Sequence, residues 1–288
     1  MHQYFDLGFI TLPAMGVCIL VGTLFALITL FTVRRLTDLS TDDVLDGVLW
    51  AVILGFVGMK ILFWIVEPDA LTLSFDSWSS FWISLKSLVG EGMVFYGGLI
   101  GGLIGVMIVC LRKKKNFLTF CDLFAPCFCL AHAGGRVGCN FSGCCYGMEY
   151  DGACSVYMDG AQRLPVQLME ATFLVLLAYG LLIILKKSKY RGTVAASYML
   201  LYSTWRFIIE FFRADARGAV GTLSTSQFIS LFIFVGGIAL FVVSRRWRKE
   251  KAPEIVSCET TVALDAADTV EPNEPKDETV DENQPKMP

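Results

Sequence analysis

Seven stretches of this chain are each long and apolar enough to cross a bilayer, and lipid leaves a backbone few ways to fold. They lie near residues 8–32, 44–66, 93–111, 117–138, 165–185, 193–212 and 226–244. Crossing a hydrocarbon core of about 30 Å as a helix takes roughly 20 apolar residues. An unpaired N–H or C=O is too costly there, so a spanning segment must satisfy its own hydrogen bonds. With 55% of residues hydrophobic and 18% charged, a soluble domain of this size is excluded. The expected fold is all-α, a polytopic membrane helical bundle of about seven transmembrane helices. The first stretch does not read as a cleavable signal, because Asp6 and no lysine or arginine precedes it and its apolar run is too long.

Basic residues set the orientation. Fifteen follow the first, third, fifth and seventh spans, from Arg34 and Arg35 to Lys249 and Lys251. The alternate connections carry four, namely Lys86, Arg163, Arg213 and Arg217. By the positive-inside rule the amino terminus is outside and the carboxyl terminus cytoplasmic. A membrane domain over 1–250 is followed by a tail over 251–288. From Ala252 onward the tail holds ten acidic residues, two lysines and no aromatics. Such a segment buries too little apolar surface to offset its ordering entropy, so a disordered acidic cytoplasmic tail is expected.

Charged residues inside spans cost about 2.5–3.5 kcal/mol each on insertion scales, so each one here calls for a reason. In the sixth span Tyr198, Tyr202, Arg206, Glu210 and Arg213 recur at helical spacing and form one polar stripe. Its bland reading is a structural ion pair that fixes helix rotation. Its functional reading is a cationic pocket facing the outer leaflet. Arg136, in H-A-G-G-R-V-G-C-N-F-S-G-C-C-Y-G over 132–147, favours the second, because it stands at the same level at the end of another span. Gly135 and Gly138 flank it, and His132 shares its helix face. A lone membrane histidine is more often a helix–helix hydrogen-bonding group than a catalyst. In the third span Gly97, Gly101 and Gly105 form one small-residue row and Gly98 and Gly102 another. Gly97 and Gly98, beside Tyr96 at the outer end, are nearly as well suited to making room for a ligand as to packing. Lys60 is a candidate partner for Asp122 or Glu67.

The chain has ten cysteines. Cys139, Cys144, Cys145 and Cys154 fall on the expected outer side, where disulfides persist, and the 139–164 loop is expected to form a small cap held by them. With no external histidine nearby, their C-x4-C-C-x8-C run is not read as a metal signature, and no phosphate-binding loop, nicotinamide fingerprint or haem motif occurs. No cofactor, metal or nucleic-acid partner is expected.

Four stretches together resemble the prolipoprotein diacylglyceryl transferase family: V-F-Y-G-G-L-I-G from Val94, G-R-V-G from Gly135 with Gly143, L-P-V-Q-L-M-E from Leu164, and R-G-T from Arg191 leading to R-F-I-I-E-F-F-R from Arg206. The resemblance covers about residues 8–245. It implies a bacterial inner-membrane enzyme that moves the diacylglyceryl group of phosphatidylglycerol to the lipobox cysteine of a prolipoprotein signal peptide, leaving a thioether and glycerol phosphate. It further implies Arg206, Glu210 and Tyr96 as catalytic residues. Arg136, Arg213, Gly97, Gly98, Gly135 and Gly138 are then the lipid-phosphate site. Arginine's planar fork suits a phosphate whose negative charge grows as it leaves.

The chain departs from the family pattern at Tyr96, where many members have histidine, at Cys139 and Cys144, commonly asparagine and glutamate, and at Met15-Gly16, commonly a tyrosine–glycine pair. A phenol of pKa near 10 is a poor resting base at neutral pH. Two other readings compete. A thiol–disulfide oxidoreductase would use the four outer cysteines, but it lacks a C-x-x-C pair and leaves the arginines unexplained. A lipid-binding or transport protein predicts bound phospholipid and no thioether.

Overall fold

The computed structural model describes residues 4–6, 8, 11–68, 77–82, 84, 92, 94–215, 219, 220 and 222–246. The acidic tail and most of the connection between the second and third spans lie outside them. Within that connection, residues 78–82 are helical, and Trp78, Phe81 and Trp82 pack together with ring centroids about 6 Å apart.

A short hairpin, β1 (Tyr4–Asp6) with β2 (Thr11–Pro13), leads into α1 (Ala14–Val33). The helix therefore starts six residues later than hydropathy suggests, at Ala14, with Pro13 as its N-cap. Next come α2 (Thr41–Val66), α3 (Phe95–Lys113) and α4 (Phe117–Ser142). A second hairpin, β3 (Val156–Met158) with β4 (Ala161–Arg163), precedes α5 (Val166–Lys187) and α6 (Thr193–Ile209). A 3-10 turn over Glu210–Phe212 and a two-residue pairing of β5 (Ala219–Val220) with β6 (Leu223–Ser224) lead to α7 (Thr225–Arg246).

Six of these helices are long and apolar enough to cross a membrane. The exception is α6, with 17 residues. The 3-10 turn carries its helical path on to Phe212, which covers the predicted 193–212 segment. Large apolar side chains such as Leu20, Leu24, Val52, Leu176 and Phe232 stand exposed on the outer faces of the helices, as expected of a lipid-facing surface.

Glycine lets α2 and α3 approach closely. Cβ atoms added at Gly97, Gly101 and Gly105 would fall against the backbone carbonyls of Gly58, Leu54 and Trp50, a four-residue antiparallel register. The other close approach is that of α1 to α4, where a Cβ on Gly22 would lie 2.8 Å from the Gly134 Cα. At the centre, α4 packs against α1, α5 and α6. Its buried Cys129 and Ala133 share a core cluster with Leu174, Leu181 and Val194.

The basic ends of the helices are tied together. Ser40 and Asp43 form a reciprocal capping box on α2, and Asp43 also meets Lys113 at 3.4 Å and Lys115 at 3.1 Å. Arg191 meets Asp38 at 3.1 Å. Asp122 on α4 accepts the N–H groups of Gly192 at 2.6 Å and Ala195 at 2.8 Å, placing a carboxylate at the start of α6. Lys60, a candidate partner of Asp122 in the sequence, instead donates to the Gly92 carbonyl at 3.1 Å.

Candidate active site

The opposite end of the bundle gathers the charges that were isolated in the sequence. The α6 stripe behaves as its spacing predicts. Arg206 Nη2 lies 2.7 Å from Glu210 Oε2 and donates to Ser226 Oγ, in the first turn of α7, at 3.0 Å. Arg213, just past the 3-10 turn, has its Nε 3.8 Å from the same Glu210 oxygen. It also forks onto Asp215 through two bonds of 3.0 Å.

Glu170, one turn into α5 and 1% exposed, joins the stripe to Arg136. One carboxylate oxygen lies 3.1 Å from Arg136 Nη2 and accepts the Tyr202 hydroxyl at 3.1 Å. The other lies 3.9 Å from Arg206 Nη1. Three helices thus meet in one chain of charges, Arg136–Glu170–Arg206–Glu210–Arg213. Sequence reasoning gave Glu170 no role. The usable signal was an acidic residue near the start of an otherwise apolar span.

With Asp215 counted, three guanidinium groups face three carboxylates, so an anion here gains from N–H donors more than from net charge. Unused hydrogen-bonding capacity collects at this place. Arg206 Nη1, His132 Nδ1 and, close by, Asn140 Oδ1 and Gln167 Oε1 are buried without a hydrogen-bond partner. Buried polar atoms are seldom left so, and each calls for an explanation, a bound group or a water among them.

His132 accepts from Arg136 Nε at 3.3 Å and sits among aromatic rings. Tyr202, Phe128 and Phe95 have centroids 5.5, 6.0 and 6.2 Å from it. The α3 residue that reaches this ring is Phe95. Tyr96 lies 37% exposed in the first turn of α3, its ring edge-on to Phe95 at 5.8 Å.

The four glycines expected at the site divide. Gly97 and Gly98 face α2, where added Cβ atoms would meet Leu62 Cβ at 2.7 Å and Met59 Cγ at 2.6 Å, so packing accounts for them. Gly138 packs on Met15 of α1, whose Cα would lie 3.1 Å away. Only at Gly135 would a Cβ meet nothing within 4 Å.

The segment from Cys144 to Arg163 closes over this end, but cysteines do not hold it. None of the nine described cysteines is in a disulfide. Arg163 does the tying instead, bonding the Met158 carbonyl at 3.1 Å and stacking 4.4 Å above the Tyr146 ring. Backbone bonds from Met148 to Phe212 (2.9 Å) and from Ala214 to Tyr146 (3.2 Å) lock this cap to the segment carrying Arg213.

The Cys139 thiol donates to the Cys145 sulfur. That bond, aided by Arg213 and against the effect of burial, holds the Cys145 thiol well below its ordinary pKa. Burial opposes the charge of Arg213, but Asp215 and then Cys145 more than compensate and keep its pKa above the ordinary value.

The chain is similar to proteins of known name. A family profile described as prolipoprotein diacylglyceryl transferase matches residues 2–243. Among similar curated proteins, phosphatidylglycerol–prolipoprotein diacylglyceryl transferase 2 of Clostridium perfringens is 36% identical over 241 residues, 77% of this chain and 88% of that protein. The Clostridium tetani protein named as the same transferase is 34% identical, over 85% of this chain and 98% of its own length. One from Dehalococcoides mccartyi strain 195 is 32% identical, over 82% and 88%. Nothing in these likenesses supports the oxidoreductase reading.

Proposed function

The chain belongs to the prolipoprotein diacylglyceryl transferase family, and from that premise we propose that it moves the diacylglyceryl group of phosphatidylglycerol onto a prolipoprotein. The acceptor is the lipobox cysteine thiol of the signal peptide, and the setting is the outer face of a bacterial inner membrane. The thiol sulfur attacks the glyceryl carbon that carries the phosphate ester. An S–C bond forms, the C–O bond breaks with its electrons passing to the phosphate oxygen, and the thiol proton passes by way of Tyr96 to the released phosphate. The products are a thioether and glycerol phosphate.

Charge grows on the departing phosphate oxygen, so positioned N–H donors lower the barrier most. Arg136, Arg206 and Arg213 fill that role. Glu170 and Glu210 keep the guanidinium groups aimed by holding them from behind, which removes the reorganisation a solvated arginine would need. The Arg213 fork on Asp215 is exchangeable for two phosphate oxygens of similar geometry. Gly135 leaves room for the head group, whereas Gly97, Gly98 and Gly138 act by letting helices close around the site. Tyr96 is the proton relay, supported by its place beside Phe95 at the rim of the His132 cage.

The observation that carries this reading is the bridge of Glu170 to both Arg136 and Arg206 beside unsatisfied donors. Purified protein, labelled phosphatidylglycerol and a lipobox peptide test it. Arg136→Ala and Arg206→Ala, folded as judged by thermal unfolding, should each lose transfer by about 10²–10³-fold, as when one charge-stabilising donor is removed. Unchanged transfer in both variants would remove the arginines from the mechanism. Bound lipid without thioether from the wild type would favour a binding protein.

A further inference from the structure

Three of the outer cysteines converge in space. The sulfurs of Cys139, Cys144 and Cys145 lie within 4.8 Å of one another. The cause is the way α4 ends. Gly143 takes a left-handed conformation (φ 71°) and reverses the chain, with the Cys144 N–H bonded to the Cys139 carbonyl at 3.2 Å. This folds the Cys144–Cys145 pair back beside the last helical turn. Cys145 itself has φ 62°, a region that residues with a side chain seldom occupy. Buried Gln167 fixes the reversed chain from α5, donating to the Cys144 carbonyl at 2.7 Å.

We propose that Cys139, Cys144 and Cys145 form a three-sulfur site for one thiophilic divalent metal ion of the Zn²⁺ class. Three thiolates on one ion at about 2.3 Å each place their sulfurs about 3.8–4.0 Å apart. Sulfurs already within 4.8 Å of one another need to close by no more than about 1 Å to reach that spacing. A disulfide fits less well. It would use two of the three sulfurs, and one between neighbours Cys144 and Cys145 would be strained.

Charge also favours the ion. Three thiolates and a divalent ion sum to about −1. Arg213, bridged through its backbone to Gly147 two residues beyond Cys145, brings a positive charge to this end of the cap.

The site is testable without lipid or acceptor peptide, so its failure is separable from failure of the transferase reading. Full-length protein in detergent, kept reduced with a phosphine, is dialysed against Zn²⁺ and its metal content measured. Co²⁺ is used in parallel for its thiolate charge-transfer band in the near ultraviolet. The wild type should hold one equivalent and show the band. Cys139→Ser, Cys144→Ser and Cys145→Ser should each bind at least tenfold more weakly, while Cys154→Ser, outside the trio, should bind as the wild type does. Because a trio variant can fail to fold, the rate of alkylation of each cysteine is also read by mass spectrometry on wild type. Zn²⁺ should slow the reaction at residues 139, 144 and 145 and leave Cys154 unaffected. No bound ion in reduced, folded wild type, an ion retained by the trio variants, or no protection from alkylation would each overturn the site.

Discussion

Glu170→Gln is the substitution that most directly probes the charge chain. It keeps the size of the side chain and an acceptor for the Tyr202 hydroxyl, yet it leaves Arg136 and Arg206 without the carboxylate they share at 3.1 and 3.9 Å. The Glu170 side chain is 1% exposed and those of the arginines 13% and 9%, so solvent screens little of the loss. Removing one partner of a buried pair costs about 3–5 kcal/mol, because the surviving charge stays buried. At about 2–4 °C per kcal/mol for a chain of this size, the midpoint of thermal unfolding should fall by about 6–20 °C.

Two further variants separate charge from packing. Tyr202→Phe removes only a hydrogen bond to the same carboxylate and should cost about 1.5–3 kcal/mol. The double variant Glu170→Gln with Arg136→Gln should be more stable than Glu170→Gln alone, since it removes a charge together with its partner. The assays are unfolding in detergent followed by tryptophan fluorescence, and labelled-lipid transfer on the same samples. A Glu170→Gln midpoint within about 2 °C of wild type, with transfer retained, would refute the view that Glu170 holds the arginines in place.

Other expectations concern single contacts. Gly101→Ala drives a Cβ into the Leu54 carbonyl and should lose about 1–3 kcal/mol, whereas Gly180→Ala, with open space around it, should gain up to about 1 kcal/mol in the same unfolding assay. Asp122→Asn weakens two charge-assisted bonds to the start of α6 and should cost about 1.5–3 kcal/mol by denaturant titration. Gly135→Leu fills the one open glycine position at the site. It should leave the unfolding midpoint near wild type while raising the KM for phosphatidylglycerol, and an unchanged KM would show that the lipid does not pass there.

Much of the architecture was legible because lipid makes each span answer for its own hydrogen bonds. Hydropathy alone therefore located α2, α3, α5 and α7 to within a few residues. The start of α1 was missed because the apolar residues before it pair as a hairpin, a choice that composition does not reveal. The stripe from Tyr198 to Arg213 was legible for the same local reason, since residues four apart on one helix meet whatever surrounds them.

What touches across helices was not legible. Glu170 and Arg136 are 34 positions apart, and Gly192 is 70 from Asp122, so no periodicity links them. Gly97 and Gly98 looked as suited to a ligand as to packing, and α2 decided for packing only once its backbone lay against them. The cysteine run did not by itself show that three sulfurs meet, which the left-handed turn at Gly143 brings about by folding two thiols back onto a third. The sequence by itself determined the helices, the basic bias at their ends and the polar face of α6, because those follow from solvent and from neighbours a few residues away. Only the tertiary structure decided which charges pair, which glycines pack and which sulfurs meet, because each depends on a partner that another helix brings.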